Sequence, residues 1–262
     1  MQIFITQFKK NKKLYITSTL IWLVLWELLA LIINEEILFV SPLKVFSALI
    51  RLAGTFDFWK SIAFSVIRVL LGFGIGYIFA TLIAVLAFKF AFFKAFVTPA
   101  ISAIKATPVA SFIILALMWA GKNLVPVFIC VLMVTPIVWT NVLEGLQKVD
   151  KKLLEAAQIY KMSTTSKIKN IYIPTLIPYN AAAISSGLGL CWKAGIAAEV
   201  ICRTMPSIGN SIWETKFYIV TDEMFAWTLA VILLSVLFDK VLKLLFKRTL
   251  KEYKTEAKSD TN

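Results

Sequence analysis

The chain has 262 residues, of which 59% are hydrophobic and 16% charged, against about 45–50% and about 25% in an ordinary soluble domain. Its net charge is +13, but the lysines gather at Lys9, Lys10, Lys12 and Lys13, across 148–169 and from Lys240 onward. Basic clusters separated by apolar runs mark segments held on one side of a membrane, and they speak against a nucleic-acid partner. There is no histidine, which excludes histidine-ligated metal sites and histidine proton relays from within this chain. Cys130, Cys191 and Cys202 fall in or beside apolar runs without metal-like spacing; they read as small buried hydrophobes rather than as a disulfide or a metal site.

About 20 apolar residues cross a hydrocarbon core at 1.5 Å per residue, and six such spans are expected in an all-α polytopic fold. The first covers 14–33, too long and too poor in small residues for a cleaved signal. Residues 34–61, with Pro42 and alternating apolar and charged positions, predict a short interfacial helix instead of a crossing. The second span, 62–88, carries Gly72, Gly74 and Gly76 for close backbone approach. A third runs from Phe92 to Trp119 with Pro99 and Pro108 inside it, and a fourth covers 123–146 with Pro136. The fifth is 171–198 and the sixth 223–246. Prolines within spans free backbone carbonyls that lipid cannot satisfy, so the third, fourth and fifth spans are expected inside the bundle. The basic loops then place both termini in the cytoplasm of a plasma-membrane protein: 1–13 as a cytoplasmic segment, 14–246 as the membrane domain, and 247–262 as a cytoplasmic tail.

The loop at 147–170 is the longest water-loving insertion. "KKLLEAAQIY" from Lys151 predicts a short helix with Leu153, Leu154 and Ala157 on one face. Ser163 or Thr164 can cap a second short helix at Thr165–Asn170. The result is a compact cytoplasmic knob, with paired alanines suited to close approach by a partner. An ordinary loop whose lysines only satisfy topology fits these residues equally well.

Glu155, Ala156 and Ala157, followed by "IYIP" at Ile171–Pro174, resemble the coupling-loop signature of binding-protein-dependent ABC importer permeases of the type I fold. "SVIRVLLGFGIGY" (Ser65–Tyr77), "ATPVASFIILALMWAG" (Ala106–Gly121), "TNVLEGLQKVD" (Thr140–Asp150) and "GIAAEVI" (Gly195–Ile201) are similar to the nitrate/sulfonate/taurine branch in order and spacing. The resemblance implies a cytoplasmic coupling loop that docks on an ATPase through Glu155, Ala156, Ala157, Lys161 and Pro174. It also implies two ATPase subunits holding ATP and Mg, a second permease subunit, an extracytoplasmic solute-binding protein, and no enzymatic activity in the permease itself. Consistent with this, no "GxxxxGK[ST]" occurs in the chain. Where the family has glycine four residues beyond the second alanine, this chain has Lys161. A lysine pays about 1 kcal/mol or more in left-handed backbone, so a differently shaped turn is expected.

Candidate residues for a solute pathway are Lys105, Asn141, Trp192, Lys193 and Glu199, because ionisable and polar groups at membrane depth face a cavity or each other. Lys193 would favour an anionic or zwitterionic solute; the alternatives are that it snorkels or pairs with a neighbouring subunit. Arg68 is expected at a headgroup or in an inter-helix contact, and the Phe-rich "FKFAFFKAF" at an interface belt. The other function class is a secondary transporter or channel without an ATPase. It calls for repeat halves and midplane carboxylates, and the chain shows no convincing half-to-half repeat.

Overall fold

The structure, a computed structural model, describes residues 12–259, with side chains described for Leu14 and for 16–244. Lys9, Lys10 and residues 260–262 lie outside the described residues, so the readings of the two terminal segments are only partly covered. All regular structure among the described residues is helical: α1 (Lys12–Ile33), α2 (Pro42–Ala53), α3 (Phe56–Lys89), α4 (Ala91–Ala106), α5 (Val109–Gln147), α6 (Lys151–Ile159), α7 (Thr164–Lys167), a π-helical turn (Ile168–Tyr172), α8 (Ile173–Cys202), α9 (Ile208–Phe217) and α10 (Thr221–Ser259). Two compact units emerge, one from the chain up to Trp59 with Ser211–Val231, the other from Lys60–Asn210 with the chain from Ile232.

Among the described residues, five helices are long and apolar enough to cross a membrane: Ile16–Ile33, Phe56–Lys89, Val109–Gln147, the helical run Thr164–Cys202, and Thr221–Leu244. The stretch expected as the third span is divided. Thr107 is extended at φ −84°, ψ 132° ahead of Pro108, which ends α4 at 16 residues, because a residue before proline is pushed out of the helical region. The chain resumes as the first part of α5 and kinks at Gly121 (φ 67°, ψ 157°) before Lys122–Gln147. That backbone region is essentially glycine's alone. The stretch expected as one span is therefore two shorter helices, neither of the length that a single span needs.

In the first unit, α2 is the amphipathic helix expected from 34–61. Ser41 precedes it and Pro42 opens it, a position where proline's missing N–H costs nothing. Val45 and Ala48 are buried with Val40 and Ala226, against Trp26 and Phe225. Leu43, Phe46 and Ile50 stay exposed on the opposite side. Trp26 Nε1 donates to Val40 O at 3.0 Å, and Arg51 donates to Asp222 and Glu223 at 3.1 and 3.0 Å.

In the second unit α5 and α8, which carry Pro126, Pro136 and Pro178, take the interior, whereas α4, which carries Pro99, buries only Ile101, so the interior placement expected of the third span fails for its first half. Some 61% of the apolar window of α5 and 50% of that in the run ending with α8 are buried, against 0% in α1. A Cβ on Gly145 would press on Leu176 and Tyr179, on Gly187 against Val134, and on Gly195 against Cys130, so α5 and α8 run antiparallel. Cys130 and Cys191 are buried free thiols, each donating to the other's carbonyl at 3.4 and 3.3 Å. They act as compact packing groups, as expected.

Of the three glycines in α3, two perform the expected task. A Cβ on Gly72 would lie 2.5 Å from that of Cys130 and 2.7 Å from Val127 O, and one on Gly76 would overlap Val134 and approach Val131 Cα to 2.9 Å. Gly74 points into open space. Gly76→Val is therefore expected to lower the yield of folded chain severely, by the few kcal/mol of an overpacked seam, whereas Gly74→Ala should be neutral or slightly stabilising, gaining helix propensity. Size-exclusion yield and thermal midpoint of the two purified variants check this contrast.

Candidate functional site

The knob at 147–172 is assembled by local rules. Asp150 caps α6, its side chain accepting from Lys152 N at 2.8 Å, and Ser163 caps α7 by accepting from Ser166 N at 3.2 Å. At the end of α6, Lys161 N donates to Gln158 O (3.0 Å) and Met162 N to Ala157 O (2.9 Å). These are the paired bonds of a Schellman ending, which demands a left-handed residue between them. Lys161 is that residue, with φ +50°. The expectation of a differently shaped turn is thus wrong: the hydrogen-bond pattern imposes the glycine conformation on a lysine.

Lys161→Gly should accordingly stabilise the chain. Left-handed backbone costs a non-glycine residue about 1–2 kcal/mol, and glycine's extra unfolded-state entropy returns about 0.5–1 of that. A net gain of about 0.5–1 kcal/mol is expected, read as a raised thermal midpoint with an unchanged knob.

Ala157 is 2% exposed and forms a small core with Val149 and Ile171, closed by Leu154, Met162 and Tyr172. Its smallness therefore serves the knob's own packing. Ala156 is half-buried and Glu155 exposed. The outer surface presents Leu153 (53% exposed), Ile159 (78%) and Tyr160 (80%) among exposed lysines. Pro174, half-buried, sits in the first turn of α8, where its absent N–H is tolerated.

Lys105, in the last turn of α4, donates from Nζ to Thr140 Oγ1 at 3.0 Å, and Thr140 donates on to Pro136 O at 2.7 Å. Asn141 is half-buried and donates to Ile137 O at 2.8 Å. Lys105 thus meets the neighbour of Asn141 on α5. Lys193 is exposed on α8. Trp192, beside it, is 2% exposed, its ring 5.0 Å from that of Phe238. Two polar atoms on this helix pair, Trp139 Nε1 and Asn180 Oδ1, are buried without a hydrogen-bond partner among the described residues.

Glu199 is 0% exposed and is the centre of the most elaborate polar cluster. Its Oε1 accepts from Arg68 at 3.2 Å, and its Oε2 from Ser65 Oγ at 2.7 Å and Gly209 N at 3.3 Å. Arg68 also donates to Pro206 O at 2.7 Å and stacks over Phe64 at 5.7 Å. Ser65 Oγ accepts in turn from Ile208 N at 2.9 Å. The expected inter-helix contact of Arg68 is present, but its partnership with Glu199 was missed. The two residues lie 131 positions apart, and sequence spacing carries no signal for such a pair. The 199–222 stretch holds α9, with Ile208 and Asn210 buried.

Comparison with known proteins extends this picture. The chain is 26% identical over 159 residues to the bicarbonate transport system permease protein CmpB of Synechococcus elongatus, covering 60% of this chain and 56% of that protein. It thus spans little more than half the length of that relative. It is 23% identical over 188 residues to the putative aliphatic sulfonates transport permease protein SsuC of Bacillus subtilis, covering 71% of this chain and 68% of that one. In fold it resembles the crystal structure of a bacterial ABC transporter involved in the import of the acidic polysaccharide alginate, with TM-score 0.61 and 16% identity over 95% of this chain and 99% of that chain. The family model described as binding-protein-dependent transport system inner membrane component matches residues 72–251, and the chain belongs to that family.

Proposed function

We propose that this chain is the permease subunit of an ATP-driven importer, and that it forms the pathway for a small anionic or zwitterionic solute handed over by an extracytoplasmic binding protein. The observation that carries the reading is the knob: a pre-formed, self-packed element with an exposed apolar tip (Leu153, Ile159, Tyr160) and the left-handed turn at the family's glycine position. Seated in a cytoplasmic ATPase subunit, it would pass nucleotide-driven movement into α8, which starts where the knob ends. ATP and Mg belong to that partner, a pair of ATPase subunits beneath two permease subunits, and the permease itself carries no catalytic step. Lys105, Asn141 and Lys193 are the side chains we assign to the pathway. Lys105 and Lys193 supply the positive charge that an anion passing through a low-dielectric region requires. Names of relatives support small anions as the solute class: bicarbonate for one, aliphatic sulfonates for another.

The test is reconstitution of the chain with its ATPase and binding protein in vesicles, with topology read in parallel. Uptake of the solute that the binding protein retains should require ATP. Single cysteines at Lys151 and at Met205, which is 59% exposed, should react with an impermeant thiol reagent from opposite faces. Uptake without nucleotide, or labelling of both positions from one face, would overturn the reading.

A further inference from the structure

We propose that Glu199 is a positioning residue that carries the displacement of the knob to the chain segment 203–210 at the far end of α8. The inference rests on the coupling reading above and goes beyond it by naming the joint. Helix α8 follows the knob without a break, and Ile171 and Tyr172, just before it, belong to the knob's own core. From Ile173 to Glu199 it provides about 39 Å of helix, so a push on the knob arrives at Glu199.

At that end the carboxylate is enclosed, and it holds the segment at several points. Glu199 accepts from Gly209 N at 3.3 Å, and through Ser65 it reaches Ile208 N. Arg68, fixed by Glu199 Oε1, donates to Pro206 O. A Cβ on Gly209 would stand 2.6 Å from Val200 N, so the start of α9 rides directly on the last turn of α8. Ser207 Oγ, which accepts from Asn210 N at 2.9 Å, caps α9 in the same place. With no water to exchange against, charge-assisted bonds of this kind hold their partners stiffly. Segment 203–210 therefore follows the end of α8, and the carboxylate is the common node of the contacts that make it do so.

The experiment uses the assembled complex in a background with Cys130, Cys191 and Cys202 replaced by alanine. An environment-sensitive fluorophore is placed at Met205→Cys or, in a separate preparation, at Lys151→Cys. A non-hydrolysable ATP analogue with Mg should change the emission of both reporters. In Glu199→Gln, which keeps the side chain's shape, the Lys151 reporter should respond as before while the Met205 response falls at least about fivefold, the lower end of typical coupling strengths. Ser65→Ala, which deletes a single hydroxyl, should show the same split and decides the matter where Glu199→Gln fails to assemble. A full Met205 response in both variants overturns the proposal. A silent Lys151 reporter in the unsubstituted complex overturns the coupling reading itself, and the joint with it.

Discussion

Ile159→Asp combined with Tyr160→Ala should leave a folded, membrane-inserted chain that no longer retains its ATPase. Both side chains are about four-fifths exposed, Ile159 at 78% and Tyr160 at 80%, so neither contributes much to the chain's own stability, and surface changes of this kind stay within about 0.5 kcal/mol. In a docked knob they become central apolar contacts, where truncation of a hot-spot residue costs about 2–4 kcal/mol. At about tenfold per 1.4 kcal/mol, ATPase retention and ATP-driven uptake should fall by about 30-fold to 700-fold, against unchanged thermal stability. Co-purification of the ATPase and uptake by vesicles measure the two sides. Ala157→Trp sharpens the comparison. It overfills the core formed with Val149 and Ile171 and should destabilise the knob itself, by about 1–3 kcal/mol. Ala156→Trp, on a half-buried position, should act on docking. Equal loss of fold in Ala156→Trp and Ala157→Trp would mean that the two alanines share one structural role, and the division drawn from their burial would fail.

What the sequence made legible was whatever depends on local composition and spacing. Apolar runs located the long helices, and Pro136 marked α5 as an interior element, because a freed carbonyl must find protein, whereas the same argument failed for Pro99 on the largely exposed α4. The cap Ser163 follows from side-chain chemistry at helix starts. The family signature supplied the knob's identity, yet not the geometry of Lys161. A position-by-position substitution says which residue changed, while the backbone at that site is set by the bonds from Lys161 N and Met162 N to the preceding turn. Gly72, Gly74 and Gly76 illustrate the same limit. Their spacing announces a close approach, but which of the three faces α5 depends on the rotation of α3, and no single-chain pattern records that. Trp192, expected along the pathway, has its ring against Phe238, a contact between helices distant in the chain that no local pattern announces. Glu199's actual partners stand on α3 and in the 203–210 segment, beyond the reach of any periodicity argument.

Removing one side of the Arg68–Glu199 pair should be far worse than removing both. In Glu199→Leu, the Arg68 guanidinium, whose side chain is 13% exposed, keeps Pro206 O but loses its counter-charge, and Ser65 Oγ and Gly209 N lose their acceptor. An uncompensated charge in such surroundings costs about 3–5 kcal/mol. For a chain of this size that corresponds to a fall of about 6–20 °C in thermal midpoint, at about 2–4 °C per kcal/mol. Arg68→Met alone should cost a similar amount, because the carboxylate then stands unpaired at zero exposure. Arg68→Met with Glu199→Leu removes both charges and leaves apolar groups of comparable volume, so the double variant should recover a large part of the loss. Thermal midpoints of the four proteins, measured in one detergent, give the interaction energy by difference. Additive losses would show that the two charges do not act as a pair. Lys193 provides the control. It is exposed, and Glu199 is already engaged within its own chain, so exchanging the two as Lys193→Glu with Glu199→Lys should not rescue anything. It should combine a broken internal pair with a reversed charge on α8 and be the least stable variant of the set.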